Sequence, residues 1–191
     1  MQSRWKLRSH SSLPGLIGVI LMGVILAGCA GPSLTDYSDR TPTLEPRTFF
    51  DGTLSARGIV KDFGGEVIRT FDADIQASWN GQGVGTLDET FRFDDGEIQT
   101  RTWTLTPVEG GYRATAGDVV EPGLMQWQGN AIHMNYVLRV PYDDDTIDVR
   151  LDDWMYAVTD DTVINQTRMS KWGVKVGELV LVIRREPASN Q

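Results

Sequence analysis

The chain has 191 residues, 40% hydrophobic and 23% charged, which suits one compact domain and excludes collagen-like, coiled-coil and wholly disordered classes. Twenty-six acidic against 18 basic side chains give a net charge of −8, which argues against nucleic acid as a partner. A single cysteine, Cys29, and two histidines, His10 and His133, exclude an internal disulfide, a multi-thiolate centre and poly-histidine metal chemistry. No cofactor is expected.

Residues 1–28 read as a secretory signal. Arg4, Lys6 and Arg8 precede the apolar run Leu16 to Leu26, whose 11 residues fit a signal-peptide core. A bilayer span needs about 20. Leu26-Ala27-Gly28-Cys29 resembles the bacterial lipobox. That resemblance implies cleavage after Gly28 and a lipid anchor on Cys29. Ala30 follows the cysteine where Asp would signal inner-membrane retention in enteric bacteria, so the implied address is the outer membrane, facing the periplasm. The other readings of these residues are a plain secretory signal with an incidental Cys, or an uncleaved anchor. Loss of residues 1–28 leaves 163 residues with a side-chain charge of −11. Anionic head groups repel such a body, so the lipid on Cys29, and not the domain surface, is expected to hold it to the membrane. Residues 29–47 are expected to form a flexible tether. Its stretch Ala30 to Glu45, rich in Pro, Ser, Thr and Asp, would reach about 50 Å fully extended. Residues 48–187 form the expected folded domain, a monomer.

From Phe49 onward the dominant signal is alternation with period two, broken by turn residues. Val67, Phe71, Ala73, Ile75, Ala77 and Trp79 share one parity, and Asn80-Gly81-Gln82-Gly83 ends the run. Leu87, Phe91 and Phe93 continue to the Asp94-Asp95-Gly96 turn. Gln99, Arg101, Trp103 and Leu105 share the next parity, up to Glu109-Gly110-Gly111. Met134, Tyr136, Leu138 and Val140 lead to an acidic loop at Asp143-Asp144-Asp145, and Ile147, Val149 and Leu151 run into Asp152-Asp153-Trp154-Met155-Tyr156. Gly177 to Arg185 closes the series. About nine strands at short spacing, with no helical stretch, predict an all-β fold. The expected form is an antiparallel up-and-down barrel of about 8–10 strands, because consecutive hairpins close a ring without long crossings and remove exposed edges.

The stretch LDETFRFDDGEIQTRTW (Leu87 to Trp103), with AGDVV (Ala116 to Val120), GNA (Gly129 to Ala131), DDWMY (Asp152 to Tyr156) and SKWGVKVGE (Ser170 to Glu178), resembles the bacterial lipoprotein family called domain of unknown function 3833. The resemblance covers roughly Phe49 to Arg184. Glu121-Pro122 departs from it, where a glycine-led continuation is expected after AGDVV. The resemblance implies a lipocalin-like barrel, genes often found beside fatty-acid-modifying enzymes, and no established activity.

Several polar residues share parity with the apolar face. Glu89 lies between Leu87 and Phe91, Arg101 two before Trp103, Asp118 in step with Ala114 and Ala116, and Asp153 between Leu151 and Met155. Charges inside a barrel must pair, so these residues either form a structural network or grip the polar end of a ligand. Trp79, Trp103, Trp154 and Trp172 are candidate aromatic walls, and Lys171 beside Trp172 is a candidate cation at the barrel mouth for a fatty-acid carboxylate. The adjacent acid pairs do not make a glycosidase site, because neighbours on a strand face opposite ways. The Asp143-Asp144-Asp145 loop lacks EF-hand spacing, and His133 alternates with the apolar face and is expected to point outward.

Two readings follow. In the first, a membrane-anchored barrel binds a hydrophobic or acyl ligand for envelope lipid maintenance or transport. In the second, a packed core serves structure or interaction only. A lipid-modifying enzyme using Asp153, Glu89 or Asp118 is the weakest. An apolar cavity above roughly 300 Å³ favours the binder and a filled core the structural protein.

Overall fold

The computed structural model describes residues 31–142 and 145–187. The signal over residues 1–28, Cys29, Ala30 and the Asp143-Asp144 part of the acidic loop lie outside the described residues. Contacts divide the chain into Met1–Pro32 and Ser33–Gln191; the second unit is the folded body.

Eleven strands follow one another: β1 (Gly52–Asp62), β2 (Val67–Trp79), β3 (Gly85–Phe93), β4 (Ile98–Val108), β5 (Gly111–Thr115), β6 (Val119–Glu121), β7 (Gly123–Gln128), β8 (Ala131–Tyr142), β9 (Asp145–Thr159), β10 (Thr162–Lys171) and β11 (Val174–Arg185). Neighbours pair antiparallel around a ring in which β1 bonds both β2 and β11, and β8 bonds both β7 and β9. Ten strands therefore close an up-and-down barrel, as the alternation predicts. Short β6 is the exception. It lies on β8 through Val119 and Glu121, with the register shifting between them, in the region where Glu121-Pro122 departs from the family pattern.

The period-two pattern becomes burial directly. Along β2, Phe71, Ala73, Ile75 and Ala77 are buried while Asp72, Asp74 and Gln76 are exposed. Turn chemistry supports the register: the Asn80 side chain accepts hydrogen bonds from the Gln82 and Val84 amides, at 2.9 and 3.0 Å, and ties off the β2–β3 hairpin.

One expectation needs correction. The segment read as a flexible tether packs on the barrel from Ser33 onward. A 3-10 turn (Leu34–Tyr37) lays Tyr37 over Trp154 and Tyr156, at ring separations of 5.7 and 5.4 Å. The Leu44 amide then donates to the Gly129 carbonyl at 2.8 Å. Helix α1 (Pro46–Phe49) follows; its cap residue Glu45 accepts from the Thr48 amide and hydroxyl, both at 2.7 Å. Leu44, Phe49 and Phe50 are at most 4% exposed and stop one end of the barrel. Each buried side chain of this size contributes about 1.5–3 kcal/mol, enough to hold a stretch whose composition alone reads as linker.

Gly129 at the β7–β8 turn makes this closure possible. Its φ is +53°, and a Cβ there would stand 1.7 Å from the Tyr37 carbonyl oxygen. Gly129→Ala is therefore expected to displace residues 33–45 and to cost at least about 1–2 kcal/mol. Urea melts and limited proteolysis check this; an unchanged melt with the segment still protected would contradict it.

Candidate ligand cavity

The inner face of the barrel is not filled. A cavity of about 200 Å³, open to solvent, runs between Phe50 at the stoppered end and Val60, Phe93 and Met169 toward the opposite hairpins. Ala56 of β1 is a small side chain on its wall, while Gly58 on the same strand is covered by Phe71 and Leu181, from which any Cβ would lie 2.5 and 2.7 Å. Most of the wall is apolar, from residues such as Phe71, Leu87, Leu105, Leu151 and Leu181. Inward polar residues on five strands interrupt it.

Strands β3 and β4 place Glu89 directly opposite Arg101. The Arg101 guanidinium donates through Nε and Nη2 to the Asp118 carboxylate at 2.8–3.2 Å, while its Nη1 stands 4.0 Å from Glu89. Asp118 arrives from the turn between β5 and β6. Phe91 and Trp103 flank the guanidinium, each ring 5.8 Å away. Burial pushes the Glu89 carboxyl up to about 7; Arg101 and the Trp103 indole N–H oppose the rise, and Asp153 and Asp118 add to it.

Asp153, 5% exposed, sits across the cavity on β9, between Met134 of β8 and Thr167 of β10. Its Oδ1 accepts from the Asn165 amide and, at 2.9 Å, from the Thr167 hydroxyl. Among the described residues its Oδ2 has no hydrogen-bond partner. Burial raises this carboxyl to about 6, although both donors favour the ionised form. Tyr136 of β8 stands between the two acids, edge-on to Trp103 at 5.3 Å, with its hydroxyl unpartnered among the described residues. Burial, with Asp153 next, holds its phenol well above the usual range. Among the described residues no group of three or more His, Cys, Asp or Glu is arranged to hold a metal.

The sequence-predicted residues divide accordingly. Glu89, Arg101, Trp103 and Asp153 line the cavity, and Asp118 meets Arg101 at its edge. The other four stand elsewhere. The Trp79 indole donates to the Phe50 carbonyl at 2.6 Å and stacks on Tyr112 in the stopper. Trp154 follows inward Asp153, so it faces outward, between Tyr37 and His133, whose ring is 4.1 Å away. Lys171 donates to the Asp148 carbonyl at 2.6 Å instead of lining a mouth. Trp172 is 92% exposed; with Gly173 it forms the β10–β11 turn at φ of +51° and +79°, and a turn residue of that geometry projects into solvent. Tyr136, Asn165, Thr167 and Gln99 complete the polar wall and were not singled out from sequence.

An open, one-ended, mostly apolar cavity inside a closed meander defines a lipocalin-like barrel. The chain belongs to the family described as Protein of unknown function (DUF3833), whose model matches residues 23–185. No curated protein matches it in sequence. Among solved structures it is similar to Rv2717c from M. tuberculosis, at 17% identity and a TM-score of 0.53, covering 78% of this chain and all of that one. It is also similar to the S-type phycobiliprotein lyase CPES from Guillardia theta, at 12% identity and a TM-score of 0.50, covering 73% of this chain and 89% of that one. At these identities the likeness is one of fold.

The raised carboxyls make stability depend on pH with a definite sign. Between about 4.5 and 7 the folded chain keeps a proton on Glu89 that the unfolded chain has released, so this group's contribution is full below pH 4.5 and lost as pH rises through 7. Glu89→Gln is expected to flatten that fall and to gain up to about 3 kcal/mol at pH 8. Urea melts from pH 4.5 to 8.5 read it; a variant that parallels the native curve would contradict a raised Glu89.

Proposed function

We propose that this chain is a membrane-anchored receptor or carrier that holds a small, largely apolar ligand inside its barrel. The observation that carries the reading is the cavity itself: open, apolar over most of its wall, and lined by Asp153 and Tyr136, whose Oδ2 and hydroxyl have no hydrogen-bond partner among the described residues. Packed interiors leave few voids larger than a water molecule, and about 200 Å³ is many times that. The volume falls short of the roughly 300 Å³ that favours a binder, and the core is not filled either; an occupant of this space is slim, on the scale of one medium-length chain. Arg101 and Asp118 satisfy each other and act structurally, as the sequence reading allowed for the network.

In the same proposal Cys29 carries the lipid, the host is the outer membrane on its periplasmic side, and the chain works as a monomer.

Native mass spectrometry of the chain purified gently from the envelope tests both parts. The expected spectrum shows the lipid mass at residue 29 and a further noncovalent adduct of one small molecule per chain. Ala56→Phe, which places a ring in the cavity, is expected to fold and lose the adduct. A chain that stays free of adduct after incubation with envelope lipids would overturn the carrier reading.

A further inference from the structure

The carrier reading leaves open which polar end the cavity accepts, and the wall's charge balance addresses it. Among the described residues lining the cavity, Arg101 is the only cation, against the two carboxyls of Glu89 and Asp153. Arg101 is already committed: three contacts of 2.8–3.2 Å join it to Asp118, and the Nη1 that faces inward stands 4.0 Å from Glu89. Arg69, over the Phe93 ring at 3.7 Å, is held by Asp95 and Glu97 at 2.7 and 2.6 Å. Lys171 is engaged by the Asp148 carbonyl. Among the described residues that line the cavity, no cation is left over for a ligand anion.

Acceptors, in contrast, are in surplus. Oδ2 of Asp153 has no donor among the described residues, although the residue is 95% buried by its 5% exposure. Glu89, its side chain 12% exposed, is held only by the long Arg101 approach and the Trp103 indole. An acceptor that faces the cavity without a protein donor gains a hydrogen bond from a donor brought by the ligand. A carboxylate placed there would instead face two like charges.

We propose that the barrel selects apolar molecules whose polar end is an ammonium or N–H donor, received by Asp153 and Glu89, and that it rejects free fatty-acid carboxylates. The proposal rests on the carrier reading and reverses its acyl-carboxylate version. Asp153 and Glu89 receive the nitrogen, Tyr136 lies between them, and the apolar side chains of β1, β2 and β11 hold the tail. The titratable groups acting on these acids are Arg101 of β4, Tyr136 of β8 and Asp118, with His133 of β8 and Asp152 of β9 acting on Asp153 in opposite directions; β10 adds only neutral Asn165 and Thr167. Both carboxyls are ionised at pH 8 and largely protonated at pH 5, so the preference is greatest at the higher pH.

The test titrates the purified full chain with decylamine, decanol and decanoate at pH 8 by isothermal calorimetry, with Ala56→Phe as the blank for adsorption to the acidic surface. Decylamine is expected to bind at least ten-fold more tightly than decanoate, with decanol between them. Glu89→Gln and Asp153→Asn are each expected to cut decylamine affinity about ten-fold while changing decanol less than three-fold. Decanoate binding as tightly as decylamine, or variants that leave the ranking intact, would overturn the selectivity while the carrier reading survives. Failure of all three to bind would overturn the carrier reading, and the selectivity with it.

Discussion

A sheet that closes on itself has to fill its own interior, and the rest of this structure follows from how incompletely it does so. Ten strands joined through the β8–β9 and β1–β11 ladders leave no open edge except short β6. Closure gives the backbone its hydrogen bonds, and it also fixes an inner volume that side chains alone must occupy. At one end they do: Leu44, Phe49, Phe50, Trp79 and Tyr112 form an aromatic stopper. Further in, the wall includes Ala56 of β1, too small to fill the space it faces, and the cavity remains open there.

The polar groups inside this volume are of two kinds. Arg101 and Asp118 neutralise each other through a two-pronged contact, tying β4 to the turn before β6, where the ladder is weakest. Glu89 and Asp153 are not neutralised in that way. Burial holds their carboxyls near 7 and 6, although Asn165 and Thr167 donate to Asp153, and Arg101 and the Trp103 indole face Glu89. Retained electrostatic cost at a solvent-reachable cavity is a common mark of a functional site. Raised carboxyls also serve as general acids and bases. Among the described residues no group of three or more His, Cys, Asp or Glu is arranged to hold a metal, and the Thr167 hydroxyl is the side-chain hydroxyl bonded to Asp153.

Much of this was legible in the sequence because a strand converts parity into side. Glu89, Arg101 and Asp153 were placed inward by their step with Leu87, Trp103 and Leu151, and each lines the cavity. The same rule placed His133 outward, where it bonds Asp152 at 2.7 Å. The losses have physical causes as well. Tryptophans were grouped by type, but Trp154 belongs to the outer parity and Trp172 to a turn. The linker-like composition of residues 33–47 hid Tyr37 and Leu44, which pack on Trp154 and Gly129, more than 80 residues away. The small residues Ala73, Ala77 and Ala114 pack into the core, while the small residue on the cavity wall is Ala56 of β1, a strand whose alternation was not resolved in the sequence. Parity names the residues facing inward; it does not measure the room between them.

The most direct test of an occupied barrel is a crystal structure of the chain purified gently from its native envelope, without organic extraction. The account predicts continuous density for one slim molecule, its tail against Ala56 and Leu181 and its polar end within hydrogen-bond distance of Asp153 or Glu89. Side chains collapsed into the cavity, or only ordered water between the two carboxyls, would contradict it.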